Sequence, residues 1–268
     1  MLIKRLLTAV VLIPLVVLAT LRFESSEFAI AMMPVLVICS WEYGGLIKMK
    51  RWISKSFYVL ALTITAYYVN QMSFLLMPVL IVTLLWWLIN SFWIINFPRH
   101  TRSWYSHPAT RIINGFFFFV PLLVALTTLH QIDSTLVLLL LVLIWAADTG
   151  AYLVGRTLGK NKLLPNVSPG KTVEGAVGGI LFSFGAMLIY VRFGLENDDF
   201  SQYFFYAVLS LVTALASILG DLFESLHKRI AGVKDSGVVV PGHGGLFDRI
   251  DSLTASAPIF LLAYSSLT

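Results

Sequence analysis

Long apolar runs constrain this chain more than any other feature. A helix needs about 20 apolar residues to cross a hydrocarbon layer of roughly 30 Å. Scanning for such runs gives nine candidates, at about 6 to 21, 28 to 47, 56 to 69, 73 to 96, 112 to 129, 134 to 154, 175 to 191, 203 to 220 and 253 to 267. The third and the last are the shortest. Of 268 residues, 58% are hydrophobic and only 12% charged, more apolar surface than one water-soluble globule can hide. The sequence predicts an all-α fold: a polytopic transmembrane helical bundle of about nine spans. Pro14, Pro34, Pro78, Pro121 and Pro258 fall inside the runs and predict kinks, since packed neighbours can satisfy the freed backbone groups. The opening MLIKRLLTAVVLIPLVVLAT looks like a signal peptide, but no small-residue cleavage site follows before Arg22, so it reads as a retained first span.

Charge gives an orientation. Assigning alternate loops to opposite sides places all but Arg22 and Arg192 of the 19 lysines and arginines on one side. By the positive-inside rule that side, which includes the N-terminus and both long C-terminal loops, faces the cytoplasm. The net charge of +5 is explained by this topology, because the basic residues are scattered through short loops; no nucleic-acid partner is implied. A single cysteine, Cys39, excludes an intramolecular disulfide and a thiolate cluster. The chain divides into N-terminal transmembrane helices, 1–111, and C-terminal transmembrane helices with cytoplasmic catalytic loops, 112–268. The polar loops at 97 to 111, 155 to 174 and 221 to 252 are the longest.

Carboxylates sort with the same topology. Glu24, Glu27, Asp133, Glu196, Asp198 and Asp199 fall in the external loops and read as solvated, whereas Asp148, Glu174, Asp221, Glu224, Asp235, Asp248 and Asp251 sit at or beside cytoplasmic helix ends. Asp221 and Glu224 are three residues apart, so on a helix both project from one face. They suit either a shared ion or an ion pair with Lys228 on the next turn. Downstream, Gly242, Gly244 and Gly245 surround His243, and Asp248 and Asp251 repeat the three-residue spacing with Arg249 between them. Glycines let backbone approach a phosphate, and two acidic pairs can converge on magnesium, which takes one or two carboxylates plus phosphate oxygens. Oxygen donors without cysteine favour magnesium over zinc.

A third segment, residues 148 to 175, contains Ser168-Pro-Gly-Lys171-Thr. It is not a P-loop: Pro165 stands where the first glycine belongs, and no strand is expected before it. Lys171 and Ser168 remain candidate phosphate contacts. Gly175 and Gly179 form a GxxxG pattern that predicts close helix packing. Asp148 reads equally well as a functional carboxylate or as a partner of Arg156. His100, His107 and His130 read as lone loop histidines, and Trp86, Trp87 and Phe116 to Phe119 as packing or lipid-facing residues.

The run SLHKRIAGVKDSGVVVPGHGGLFDRID, residues 225 to 251, resembles the pattern that marks the phosphatidate cytidylyltransferase family. Ser225, Lys228, Arg229, Lys234, Asp235, His243, Gly244, Gly245, Asp248, Arg249 and Asp251 all stand at the pattern's spacings, and the Asp148 segment, SPGKT and Gly220-Asp221 with Glu224 are similar to family features. The likeness covers roughly the C-terminal half. Two positions depart from it, His227 where an apolar residue is usual and Val240 for a bulkier side chain; neither removes a candidate ligand. The resemblance implies transfer of the cytidylyl group of CTP to phosphatidate, giving CDP-diacylglycerol and pyrophosphate, in a bacterial inner membrane and with a homodimer as the expected assembly. By carry-over Asp221 and Asp248 match the metal-binding aspartates, with Glu224 and Asp251 beside them on magnesium, directly or through another ligand. Lys171, Lys228, Arg229, Lys234 and Arg249 would bind phosphates, Ser168, Ser225, Gly244 and Gly245 would line the substrates, and His243 would act in binding or in the turn. The rival readings are a CTP-dependent polyprenol or phytol kinase, a cation or proton transporter, which would place carboxylates near mid-span, and a non-catalytic lipid-binding scaffold.

Overall fold

The computed structural model describes residues 2–99, 107–194, 200–240, 242 and 244–267. Each predicted run lies on a helix: α1 (Leu2–Arg22), α2 (Ser25–Leu46), α3 (Trp52–Gln71), α4 (Leu76–Ile95, preceded by a 3-10 turn at Ser73–Leu75), α5 (Pro108–Ile132), α6 (Ser134–Thr157), α7 (Val173–Gly194), α8 (Phe200–Ala231) and α9 (Phe247–Leu267). Six segments, α2, α4 with its 3-10 turn, α5, α6, α7 and α8, are long and apolar enough to cross a membrane. All five prolines lie within helices or their first turns.

Sequence expectations fail at two polar stretches. The polar stretch from 221 to 252 is helical at both ends, because α8 continues to Ala231 and α9 begins at Phe247. Leu222, Phe223 and Leu226 are buried on that extension, so an apolar stripe persists where average hydropathy has already fallen. The helix stops at Gly232, whose φ of 77° is left-handed. Gly232 N–H donates to Arg229 O and Val233 N–H to Lys228 O, at 3.2 and 3.0 Å, the paired bonds of a Schellman end. The second failure is the all-α expectation around SPGKT, before which a strand does occur. Strand β1 (Lys162–Leu164) pairs antiparallel with β2 (Ser168–Thr172), and SPGKT itself is the second strand. This hairpin is not a P-loop, since no loop cradles its lysine. Thr172 Oγ1 accepts the Gly175 N–H at 3.1 Å, and α7 starts there.

Packing joins the chain's two halves. One buried cluster takes Tyr43 from α2, Leu62 from α3, Trp87 from α4, Phe118 and Phe119 from α5, Phe223 from α8 and Phe247 from α9. Trp86 and Trp87 are core residues here. The division expected at residue 111 runs through the first turn of α5. At the opposite end of the bundle His130, in the last turn of α5, is buried and not in a loop; its ring stacks on Phe28 and its Nε2 lies 2.9 Å from Thr20 O. His100 lies outside the described residues.

Candidate active site

The site forms where α6, α7, α8, α9 and the hairpin meet at one end of the bundle. Its floor is the α6–α7 seam, built from small residues. A Cβ on Gly179 would stand 2.8 Å from Ala147 O, and one on Gly175 2.9 Å from Ala151 O. The GxxxG reading is therefore a matter of backbone contact. Above the seam lies a cavity of about 450 Å³ lined by Asp148, Arg156, Lys171, Thr172, Ser217 and Asp221, among others.

Register between α8 and α9 orders the charged groups. A Cβ on Gly220 would meet Asp251 O at 2.5 Å and Ser252 Cα at 3.2 Å, so these antiparallel helices touch backbone to backbone at that level. Asp221 and Asp251 thus share one layer, and Glu224 and Asp248 share the next, about one 5.4 Å helical turn away, where the Lys228 ammonium reaches back from one turn further along α8. In the first layer Lys171 Nζ pairs with Asp221 at 2.6 Å, and Ser225 Oγ donates to Asp221 at 3.2 Å. Asp251 accepts its neighbour's N–H, from Ser252, at 2.7 Å.

In the second layer Lys228 Nζ bridges two carboxylates, bonding Asp248 Oδ1 at 2.7 Å and pairing with the buried Glu224. Of the two sequence alternatives for the Asp221–Glu224 pair, the contact formed here is the ion pair of Glu224 with the next-turn Lys228. Asp248 Oδ2 accepts three donors, Ser236 N–H and Oγ–H at 2.9 Å each and Gly245 N–H at 2.8 Å. Asp248 opens α9, outside the six apolar spans. Burial pushes its carboxyl upward, but the Lys228 ammonium and the Ser236 N–H outweigh burial and hold it below its ordinary value.

Arg229 Nε donates to Val167 O at 3.1 Å, which ties α8 to the hairpin that carries Ser168. Arg249 and Lys234 are exposed at this end. Gly244 has φ 92°, and a Cβ there would crowd Asp248 Oδ2 at 2.9 Å, so only glycine lets this turn close over the carboxylate. His243 lies outside the described residues. Asp148 lines the cavity, while Arg156 donates to Tyr152 OH at 2.5 Å. His227 is buried, its Nδ1 2.8 Å from Phe223 O and its Nε2 3.2 Å from Tyr43 OH. It packs into the core as a polar link between α2 and α8. Among the described residues no three His, Cys, Asp or Glu side chains converge as a metal cluster.

One residue escaped sequence reading. Glu42, on α2, is 4% exposed and accepts Leu246 N–H at 3.1 Å on Oε1 and Phe247 N–H at 2.8 Å on Oε2. The signal was available: an ionisable residue within an apolar span is a functional candidate by default.

Residues 3–267 match the cytidylyltransferase family. A protein of Haemophilus influenzae named phosphatidate cytidylyltransferase is 35% identical over 98% of this chain and 99% of its own length. One of the same name from Pseudomonas aeruginosa is 34% identical over 97% and 96%. A Bacillus subtilis protein, also so named, is 42% identical over 53% of each chain.

Proposed function

This chain belongs to the cytidylyltransferase family, and we infer from that membership that it transfers the cytidylyl group of CTP to phosphatidate. The products are CDP-diacylglycerol, a phospholipid precursor, and pyrophosphate. The observation that carries the site assignment is the juxtaposition at one end of the bundle of Lys171 on Asp221 and of Lys228 between Glu224 and Asp248.

A phosphate monoester has a second pKa near 6 and is largely dianionic at neutral pH. Its oxygen attacks the α-phosphorus of CTP without a strong general base, forming one P–O bond as the bond to the β-phosphate breaks. Pyrophosphate carries the charge away. The main barrier is the approach of two anions, and fixed cations lower it by neutralising charge and aligning attack with departure. Lys171, Lys228, Arg229, Lys234 and Arg249 supply these cations, and Lys171 already faces the cavity.

The donor set is entirely oxygen, which suits magnesium. Asp221 and Asp248 would hold it, with Glu224 and Asp251 beside them. It would supply Lewis-acid neutralisation of phosphate charge. Because no three described carboxylates converge, substrate oxygens would have to complete the coordination.

The same reading has nine spans, a cytoplasmic N-terminus and a site at the cytoplasmic face of a bacterial inner membrane. The helix lengths support the depth. The 32 residues of α8 extend about 48 Å at 1.5 Å per residue, well beyond a 30 Å hydrocarbon layer, so its charged last turns reach the headgroup plane where phosphatidate and aqueous CTP can meet. A homodimer completes the reading, and cross-linking in native membranes tests it.

The deciding experiment incubates purified protein with labelled CTP, phosphatidate and magnesium, with and without chelator. Cytidine-bearing lipid and pyrophosphate are expected, and chelator should abolish both. A phosphorylated lipid without cytidine would replace this reading with the kinase one. Asp248→Ala should insert normally into membranes but not turn over; near-normal activity would remove Asp248 from the site.

A further inference from the structure

We propose that Glu42 is a positioning residue for this reaction, clamping the glycine turn before α9 so that Asp248 presents one carboxylate oxygen, Oδ1, to the site. The inference rests on the cytidylyltransferase reading. Glu42 comes from α2, some 200 residues away in sequence, yet one of its oxygens takes the first N–H of α9, from Phe247, and the other takes the N–H of Leu246 just before it. Charge there complements the positive helix N-terminus, and a carboxylate removed from water needs such donors.

The clamp and Asp248 share the turn. Ser236 Oγ lies 2.9 Å from Asp248 Oδ2 and 3.4 Å from Glu42 Oε2. Gly237 and Gly245 have no room for a side chain, because a Cβ on either would overlap the Glu42 carboxylate, and one on Gly245 would overlap Ser236 Oγ as well. Three donors saturate Oδ2, so Asp248 can turn only Oδ1 toward Lys228. Freeing the turn would let the carboxylate rotate and present either oxygen.

Glu42→Gln is the informative variant, being nearly isosteric. Glutamine keeps an acceptor at only one of the two oxygen positions that the Leu246 and Phe247 N–H groups use, and at the other its amide nitrogen faces an N–H as a second donor. Glu42→Ala removes both acceptors. Hydrogen exchange in nanodiscs should show the Leu246 and Phe247 amides exchanging at least tenfold faster in both variants, with the α5 core unchanged. Per folded enzyme, kcat in Glu42→Gln should fall at least thirtyfold, with KM for phosphatidate within threefold. Unchanged exchange would overturn the clamp, and faster exchange with unchanged kcat would overturn its role in positioning. Failure of the wild-type protein to make CDP-diacylglycerol would instead sink the functional reading, before any variant is assayed.

Discussion

Lys228 sits between two carboxylates while only 12% of its side chain is exposed, and one of them, Glu224, is fully buried. Removing the cation leaves two uncompensated negative charges in one layer. Breaking a buried pair from one side costs roughly 3–5 kcal/mol, so Lys228→Met should lower the thermal unfolding midpoint in detergent clearly and cut turnover by at least about 100-fold. Adding Glu224→Gln to Lys228→Met removes one orphaned charge and should recover part of the midpoint but not the activity. Failure of the double variant to recover stability would mean that the bridge is not what the loss measures. At this scale the sequence showed which residues share a face, because three-residue spacing on a helix is geometry. It did not show that Asp221 takes Lys171, which reaches it from a different element, and no local spacing encodes that. Glu42 was harder still, since its partners are backbone N–H groups at the start of α9 and just before it.

Between α6 and α7 the site depends on glycines that let two helices touch. A methyl on Gly179 would sit 2.8 Å from Ala147 O and 3.3 Å from Ala151 Cβ, and a backbone carbonyl cannot swing aside as a side chain can. Overpacking of this kind typically costs about 1–3 kcal/mol. Gly179→Ala should therefore lower the unfolding midpoint and also impair turnover, because Asp148 and Lys171 line the cavity over the same seam. Gly185 on the same helix has open space around its missing Cβ; Gly185→Ala should be neutral or stabilise by up to about 1 kcal/mol through helix propensity. Equal losses at the two positions would refute the seam. The GxxxG spacing made this contact legible, and hydropathy located every α-helix among the described residues. What hydropathy could not see was the last stretch of α8, where Leu222, Phe223 and Leu226 stay buried among Asp221, Glu224, Lys228 and Arg229. A window average cancels such a stripe. The hairpin was hidden for a related reason, since Ser-Pro-Gly in β2 is turn chemistry by composition and becomes a strand only by pairing with Lys162–Leu164.

Helix alternation gathers the charged ends of the molecule. The C-terminal ends of α2, α6 and α8 and the N-terminal ends of α3, α5, α7 and α9 lie together, as the links from Glu42 to Phe247, from Tyr43 to Arg111 and from Arg229 to Val167 require. That end holds Lys48, Lys55, Arg111, Lys160, Lys162, Lys171, Lys228, Arg229, Lys234 and Arg249, while Arg22 and Arg192 end helices that run the other way. Lysine and arginine beside short loops stay on the cytoplasmic side during insertion, and the reaction requires the same side because CTP is cytosolic. Both arguments support the proposed orientation, and labelling can read it directly. Cys39 is buried, and its replacement by alanine gives a cysteine-free background. In that background a cysteine at the exposed Lys160 or Lys234 should react with a membrane-impermeant maleimide only after the cells are permeabilised, whereas one at Gln131, exposed near the opposite end, should react on spheroplasts whose inner membrane is intact. The reverse pattern would put the lysines and the candidate site on the side without CTP, and no rearrangement of side chains would then restore the assignment.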